Sequence, residues 1–257
     1  MTDESRLAYE HAVVTGAGTG IGAEIARALA AEGARITLVG RRREKLQEVA
    51  RRLGSPVIAP ADVTDRAEVE AALAHARATH GPVTILINNA GAAESAPLGR
   101  TTDEMWRRTI AVNLDAVFHC CQAALPDLVA ARTGRIVTIA STAGLKGYAY
   151  TAAYAAAKHG AVGLTRALAA ELAKTKVTVN AVCPGFTDTD IVAAAVANIG
   201  KKTGRNQADA LTELTRHNPQ GRLVTPQEVA AAVLWLCLPE SGSINGQAIV
   251  VAGGEVM

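Results

Sequence analysis

The chain has 257 residues, of which 49% are hydrophobic and 3% aromatic, and its formal net charge is +2. A chain of this length buries a large core and needs neither disulfides nor a structural metal for stability. The near-neutral charge and scarce aromatic side chains exclude the basic face and stacking surface that nucleic-acid binding requires. We expect no contact with a membrane, because no apolar run is long enough to span one and residues 1–10 are too polar for a signal peptide.

The four cysteines, Cys120, Cys121, Cys183 and Cys237, show no metal-ligand spacing. A disulfide between the adjacent Cys120 and Cys121 would be strained. We therefore predict buried free thiols, which are typical of a reducing compartment, and a cytoplasmic location. No metal site is predicted, since the histidines are scattered and His159 is interpreted as a packing residue.

Short β-rich segments alternate with longer segments of helical periodicity along the chain. The β-rich segments are near-continuous apolar runs, which is typical of parallel strands covered on both faces. The alternation predicts one domain over residues 1–257, with a doubly wound parallel sheet of about seven strands and helices on both faces. Strands are predicted at 12–15, 35–39, 57–59, 84–87, 135–139, 177–180 and 247–251, and helices at 20–32, 43–53, 66–79, 103–130, 152–174 and 226–236.

One long segment, from about residue 187 to residue 222, interrupts this alternation. It contains helical stretches that Gly200, Gly204 and Asn218-Pro219 separate. Because it follows the carboxyl end of a predicted strand, where ligands bind in such sheets, we expect it to act as a substrate lid. A pair of surface helices without a binding role is the alternative.

A glycine-rich loop joins the first strand to the first helix. Gly16, Gly20 and Gly22 follow Thr15 in the pattern T-G-x-x-x-G-x-G, which differs from G-x-G-x-x-G because Ile21 stands where that pattern needs glycine. Small residues let the backbone approach a pyrophosphate, and the helix N-terminus supplies unpaired N–H groups. The position of the loop predicts dinucleotide binding, and a purely structural turn is the alternative.

The end of the second strand favours one dinucleotide over another. NAD-binding proteins place an acidic residue there, which accepts a hydrogen bond from the ribose 2′-hydroxyl. Here the strand ends in Gly40-Arg41-Arg42-Arg43, and guanidinium groups pair well with a 2′-phosphate. We predict NADP(H) rather than NAD(H), with Arg41 as the first contact. Alternatively, Arg42 and Arg43 only solvate the next helix.

Two side chains on one helix face have the chemistry of a proton-transfer site. Tyr154 and Lys158 are four residues apart, at the start of a predicted helix. The ammonium is expected to lower the tyrosine pKa, so that the hydroxyl exchanges protons with an alcohol or a carbonyl oxygen. Ser141 follows a predicted strand and could hydrogen-bond the same oxygen.

Together these motifs resemble those of the short-chain dehydrogenase/reductase family, from about Glu10 to Gly254. The resemblance implies a Rossmann-type fold and an active enzyme that interconverts carbonyl and alcohol groups. It rests on motifs in family order: Thr15-Gly16-x-x-x-Gly20-x-Gly22, Asn88-Asn89-Ala90-Gly91, Asn113, Ser141, Tyr154-x-x-x-Lys158 and Pro184-Gly185.

The resemblance also implies roles for individual residues. Tyr154 is the implied general acid/base, Ser141 positions the substrate oxygen, and Lys158 lowers the tyrosine pKa and holds the nicotinamide ribose. Asn113, within the helix from Asp103, holds a water that links Lys158 to solvent. The predicted cofactor contacts, from the motifs and the resemblance together, are Gly16, Thr19, Gly20, Ile21 and Gly22 in the glycine loop, Arg41, Arg42, Asp62 and Val63 at the adenosine end, Asn89, Ala90 and Gly91 beside the ribose, and Tyr154, Lys158, Pro184, Gly185, Thr187 and Thr189 at the nicotinamide.

The stretch from Gly134 to Gly185 is most similar to 3-oxoacyl reductases and aromatic polyketide ketoreductases. We therefore predict NADPH-dependent reduction of a ketone, such as a 3-oxoacyl thioester, to a secondary alcohol. The alternatives are an NAD-dependent alcohol, 3-hydroxyacid or hydroxyacyl-CoA dehydrogenase and, among non-enzymes, an NADP-binding regulatory or scaffold protein.

The implied partners are a small carbonyl or alcohol substrate and further copies of the chain. Leu145, Tyr148 and Tyr150 are expected to line the pocket, although ordinary loop packing explains them as well. A basic cluster could attract the phosphates of coenzyme A or of a carrier protein, or it could be a solvated loop. The resemblance implies a homotetramer, packed through the helices from Asp103 and Ala152 and the last strand. The basic cluster consists of Lys201, Lys202 and Arg205.

Overall fold

The computed structural model describes residues 5–190, 192–194, 196–197 and 206–257. Seven parallel strands form one sheet in the order β3-β2-β1-β4-β5-β6-β7. The strand order reverses between β1 and β4, which places a crevice at their carboxyl ends. The strands are β1 (His11–Thr15), β2 (Arg35–Gly40), β3 (Val57–Pro60), β4 (Ile85–Asn88), β5 (Gly134–Ile139), β6 (Val177–Pro184) and β7 (Ala248–Val251).

Helices cover both faces of this sheet, as the sequence predicts. Ala12 and Val14 of β1 face one core layer, whereas Val13 between them faces the other. The first layer includes Ile25 of α1, and the second includes Leu73 of α3. The helices whose ends lie within the described residues are α1 (Gly20–Ala31), α2 (Arg43–Ala50), α3 (Arg66–His80), α4 (Asp103–Ile110), α5 (Ala116–Ala130), α6 (Ala152–Glu171), α7 (Gln207–Thr215) and α8 (Pro226–Cys237).

The helix predicted over residues 103–130 has these ends, but it is not α-helical throughout. A π-helical turn, Ala111–Asp115, separates α4 from α5. Within it the Ala116 N–H donates to the Ala111 carbonyl, five residues earlier. Such a turn widens the helix by one residue and is frequent at functional sites. The turn contains Asn113, which the sequence assigned to the site.

The two ends of the long segment between β6 and α8 pair with each other in a short β-bridge. Thr187 pairs with Val224, and the Asp188 N–H donates to the Val224 carbonyl over 2.9 Å. Thr225 then caps the start of α8, and its hydroxyl accepts from the Glu228 N–H. Gly200, Gly204 and the basic cluster lie outside the described residues, so the lid remains a prediction.

One buried histidine lies far from the crevice, at the amino end of β1. The His11 Nδ1 lies 2.8 Å from the Gly81 carbonyl oxygen, and its Nε2 lies 2.9 Å from the Thr37 hydroxyl. The carbonyl can only accept, so Nδ1 donates, and in the neutral ring Nε2 then accepts from the Thr37 hydroxyl. Burial lowers the pKa of His11 to about 4, although the Gly81 hydrogen bond opposes this shift.

We expect His11 to weaken the fold as the pH falls. In the unfolded chain a histidine takes up its proton near pH 6.5, whereas in the folded chain His11 does so only near pH 4. The unfolded state therefore binds more protons across this interval, and the free energy of unfolding should fall by up to about 3 kcal/mol between pH 6.5 and pH 4. Urea unfolding at several pH values measures this decrease in the free energy of unfolding.

Two variants test whether His11 causes the decrease. His11→Gln should lose this part of the pH dependence, whereas His75→Gln, at an exposed position of α3, should retain it. If the free energy of unfolding changed equally with pH in wild type and in His11→Gln, the assignment of this effect to His11 would be contradicted.

Candidate active site

The predicted catalytic side chains meet at the carboxyl edge of the sheet. Ser141 follows β5, and Tyr154 and Lys158 lie in the first turns of α6. Asn113 reaches the same place from the π-helical turn. The structure therefore brings together all four residues assigned from the sequence, at the carboxyl ends of β4 and β5.

Lys158 and Asn113 meet around a glycine. The Lys158 ammonium is buried and donates to the Ile139 carbonyl over 2.8 Å. Burial lowers the pKa of Lys158 to about 8. A Cβ atom on Gly91 would lie 2.8 Å from the Asn113 Oδ1 and 3.6 Å from the Lys158 Nζ. A side chain at position 91 would therefore clash with Asn113, whereas its contact with Lys158 would be an ordinary one.

The Asn113 side chain is held by backbone groups. Its Nδ2 donates to the Ala92 carbonyl over 2.8 Å and to the Thr109 carbonyl over 2.9 Å. Its Oδ1 accepts from the Ala92 N–H over 3.3 Å. Asn113 thus connects the π-helical turn to the segment after β4, which positions Gly91 beside Lys158.

The pKa of Tyr154 differs from the sequence-based expectation. Burial raises this pKa, and the hydrogen bond with Ser141 lowers it in part. The Lys158 Nζ lies 5.7 Å from the centre of the tyrosine ring and donates to a backbone carbonyl instead. In the chain alone, the groups that shift the pKa of Tyr154 do not include Lys158, whose ammonium binds the Ile139 carbonyl. The lowering of this pKa by Lys158 stays a prediction.

The glycine loop fits a pyrophosphate. Gly16 has a φ of +63°, and a Cβ atom on Gly22 would lie 2.4 Å from the Gly16 carbonyl oxygen. The Asn89 Nδ2 fixes the loop by donating to the carbonyls of Thr15 and Gly16. Thr19 precedes α1 in an extended conformation, and its side chain makes no capping hydrogen bond. The first-turn N–H groups, including those of Ile21 and Gly22, are therefore available to an anion.

The segment after β6 folds against this loop. The Thr187 hydroxyl donates to the Gly185 carbonyl over 3.0 Å, and the Thr189 hydroxyl donates to the Thr187 carbonyl over 3.2 Å. The Thr189 methyl carbon lies 3.1 Å from the position of a Cβ atom on Gly20. Pro184 and Gly185 thus lead into a turn that meets the glycine loop.

The residues assigned to the adenosine end lie at the ends of β2 and β3. The Arg41 side chain is 78% exposed, and its Nη1 lies 3.9 Å from the Asp62 Oδ2. Sequence reasoning found no carboxylate at the end of β2, but Asp62 brings one from the neighbouring strand. Arg42 is exposed at the N-cap of α2. Val63, in contrast, is buried in a core layer, which leaves little of it for an adenine contact.

Sequence reasoning missed two residues near the site. Cys183 lies at the end of β6, close to Lys158 and Tyr154. Burial raises the pKa of its thiol to about 11, so the thiol is neutral. The position of Cys183 directly before Pro184 was the sequence signal that could have assigned it to the site. Glu255 lies after β7 and pairs with Lys146, and no motif pointed to it.

The four cysteines are buried and free, which confirms the predicted thiol state. In the described ranges, no three His, Cys, Asp or Glu side chains converge on a point where they could hold a metal ion. No helix among the same residues has the length and hydropathy to cross a membrane.

Comparison with known proteins identifies the class of this site. The model of the short chain dehydrogenase family matches residues 10–200. The chain is 38% identical to the 3-oxoacyl-[acyl-carrier-protein] reductase FabG of Salmonella typhimurium over 247 residues, or 96% of this chain and 97% of that one. It is 38% identical to the D-beta-hydroxybutyrate dehydrogenase of Cupriavidus necator over 253 residues, or 95% and 97% of the two chains.

A solved structure extends the comparison to the fold. The crystal structure of an actinorhodin polyketide ketoreductase variant with NADPH superposes with a TM-score of 0.91, at 38% identity, over 96% of this chain and 97% of that one. The fold and the site thus define a Rossmann-type oxidoreductase that acts on carbonyl or alcohol groups. The chain belongs to the short-chain dehydrogenase/reductase family, which confirms the resemblance found in the sequence.

Proposed function

We propose that the protein is an NADPH-dependent reductase that converts a ketone, such as a 3-oxoacyl thioester, to a secondary alcohol. One observation carries the proposal: the side chains of Ser141, Tyr154, Lys158 and Asn113 converge at the carboxyl edge of the sheet, beside the glycine loop. The relative named for 3-oxoacyl-[acyl-carrier-protein] reduction and the ketoreductase with NADPH support the substrate class and the cofactor.

The side chains have defined tasks in this reaction. NADPH, when bound, supplies the hydride that the carbonyl carbon receives. Ser141 hydrogen-bonds the carbonyl oxygen, and the Tyr154 hydroxyl donates its proton to that oxygen as negative charge develops there. Because burial raises the pKa of Tyr154, its hydroxyl carries a proton at neutral pH. This state suits the reductive direction, in which tyrosine acts as the acid. Lys158 and Asn113 lie on the path by which Tyr154 regains a proton from solvent.

A substrate panel tests the proposed reaction. We expect consumption of NADPH, read by its absorbance, with acetoacetyl-CoA or with simple aryl ketones. NAD-linked oxidation of 3-hydroxybutyrate is the competing function, because a relative named D-beta-hydroxybutyrate dehydrogenase is equally similar. Faster turnover of 3-hydroxybutyrate with NAD than of any ketone with NADPH would overturn the proposal in favour of that function.

The preference for NADPH is proposed to depend on Arg41. Its exposed guanidinium lies at the end of β2, where a 2′-phosphate could form a charge-assisted pair with it. Arg41→Ala should raise the Michaelis constant for NADPH about tenfold and leave that for NADH within about twofold. Steady-state kinetics with both cofactors measure the change. Arg51→Ala, which removes an exposed arginine at the other end of α2, is the control. An unchanged NADPH constant in Arg41→Ala would contradict the 2′-phosphate contact.

We also propose a cytoplasmic homotetramer. The buried free thiols fit a reducing compartment. Phe118 of α5 and Trp235 of α8 are 43% and 44% exposed, and exposed aromatic groups often mark protein interfaces. Phe118→Glu should reduce the particle mass measured by light scattering. Tyr9→Glu, at an exposed position near the amino edge of the sheet, should not. A wild-type monomer would exclude the proposal.

A further inference from the structure

A buried acidic residue lies outside the proposed catalytic group, beside the loop that follows Ser141. Glu255 comes after β7, and its side chain is only 1% exposed. The Glu255 Oε2 is buried, and the described residues offer it no hydrogen-bond partner. A buried carboxylate is costly unless charges and hydrogen bonds compensate it. The groups that contact Oε1 therefore show which part of the chain this buried carboxylate holds in place.

Both partners of Oε1 belong to the loop 145–151, which joins the Ser141 turn to α6. The Lys146 Nζ lies 3.4 Å from the Glu255 Oε1 and also donates to the Glu255 carbonyl over 3.2 Å. The Tyr148 hydroxyl donates to the same Oε1. The Lys146 Nζ lies 4.9 Å from the centre of the Tyr148 ring, so the three side chains form one compact group.

A hydrogen-bond relay connects this group to the catalytic turn. The Tyr148 hydroxyl has one proton, and the charged carboxylate is its stronger acceptor. The Thr142 hydroxyl, 2.7 Å from the Tyr148 oxygen, must then be the donor in that second bond. Burial and the bond to Glu255 raise the pKa of Tyr148 and keep it protonated. Glu255 is thus linked through Tyr148 to Thr142, which is the neighbour of Ser141 in the chain.

The Tyr148 ring is also where three segments meet. Its centre lies 6.3 Å from that of Phe186 and 6.1 Å from that of His217, both in edge-on contacts. Phe186 follows Pro184-Gly185, and His217 follows α7. A fixed Tyr148 therefore sets the spacing between the Ser141 turn and the segment after β6, the two segments that were predicted to form the substrate pocket.

We propose that Glu255 is a positioning residue for the ketone substrate. It holds Tyr148, and with it the loop 145–151, in the conformation that forms one wall of the substrate site. This inference rests on the proposed ketone reduction and names a residue that acts through another one. Glycine at position 185 fits this arrangement, since a Cβ atom there would lie 2.9 Å from the Glu255 Oε2.

Variants of Glu255 test the inference through the substrate. Glu255→Leu, which lacks an acceptor, should raise the Michaelis constant for the ketone about tenfold, with kcat and the NADPH constant within about twofold. Glu255→Gln keeps an oxygen for Tyr148 and should restore most of the affinity. Tyr148→Phe should match Glu255→Leu, and the double variant should be no worse than either single one. Glu32→Leu, at the amino edge of the sheet, is the control. An unchanged ketone constant in Glu255→Leu, or additive effects in the double variant, would overturn the inference.

A second measurement does not depend on activity. Amide hydrogen exchange in the loop 145–151 should be about tenfold faster in Glu255→Leu than in wild type, because the loop loses its anchor. Exchange in β1 should not change. Equal exchange in the loop would sink the inference even if the enzyme reduces ketones. If wild type reduces none of the ketones, the proposed function fails, and the exchange rates still decide whether Glu255 holds the loop.

Discussion

Tyr154→Phe is expected to lower kcat for ketone reduction about 10³-fold, the usual contribution of a positioned general acid. The variant removes one hydroxyl and keeps the ring, so the packing of α6 should not change. NADPH should still bind, because the glycine loop and the segment after β6 are intact and only the predicted Tyr154 contact at the nicotinamide is lost. Single-turnover kinetics with bound NADPH separate the chemical step from binding.

Tyr9→Phe is the matched control for this experiment. Tyr9 is 90% exposed and precedes β1, at the edge of the sheet opposite to the proposed site. The same atom is removed in both variants, so a general effect of losing a phenol would appear in both. If Tyr154→Phe kept kcat within tenfold of wild type, another group would have to supply the proton.

Gly22→Ala is expected to give the largest loss of stability among the glycine variants of the loop. The added methyl group would lie 2.4 Å from both the Gly16 carbonyl oxygen and the Asn89 Nδ2. Alanine favours a helix by about 1 kcal/mol over glycine, but overpacking against a backbone oxygen costs about 3 kcal/mol or more. The free energy of unfolding should therefore fall by roughly 2 kcal/mol, as urea unfolding would measure.

The same variant should weaken NADPH binding, because the clash displaces the loop that holds the pyrophosphate. A decrease of about tenfold or more in affinity, followed by NADPH fluorescence, is the expected size. Gly54→Ala is the control, since its Cβ atom would meet nothing within 4 Å. Wild-type stability and affinity in Gly22→Ala would mean that the loop adjusts without cost.

The sequence was sufficient for those features that short segments encode locally. Each strand is an apolar run, and Tyr154 and Lys158 share a helix face because of their four-residue spacing. The glycine loop was recognisable because it lies between a strand and a helix. The carboxyl ends of parallel strands meet at one edge, so the position of Ser141 followed as well.

Features that depend on distant parts of the chain could not be predicted. The hydrophobic pattern continues through the π-helical turn, whereas the contacts that hold Asn113 come from Ala92 in another segment. Lys146 and Glu255 meet across 109 positions of the sequence. The pKa of Tyr154 follows from its burial, which spacing alone does not reveal. Asp62 reaches Arg41 only because β3 lies beside β2.

The π-helical turn also limits where residues can be inserted into this protein or deleted from it. Each residue of a helix rotates the next side chain by about 100°. Deleting one residue from Ala111–Asp115 would restore a regular helix but turn α5 about its axis, so that Cys120 and Ala124 would leave the core layer that they share. Related chains are therefore expected to keep the number of residues between Thr102 and Ala131, while insertions and deletions collect in surface turns such as the one at Gly54.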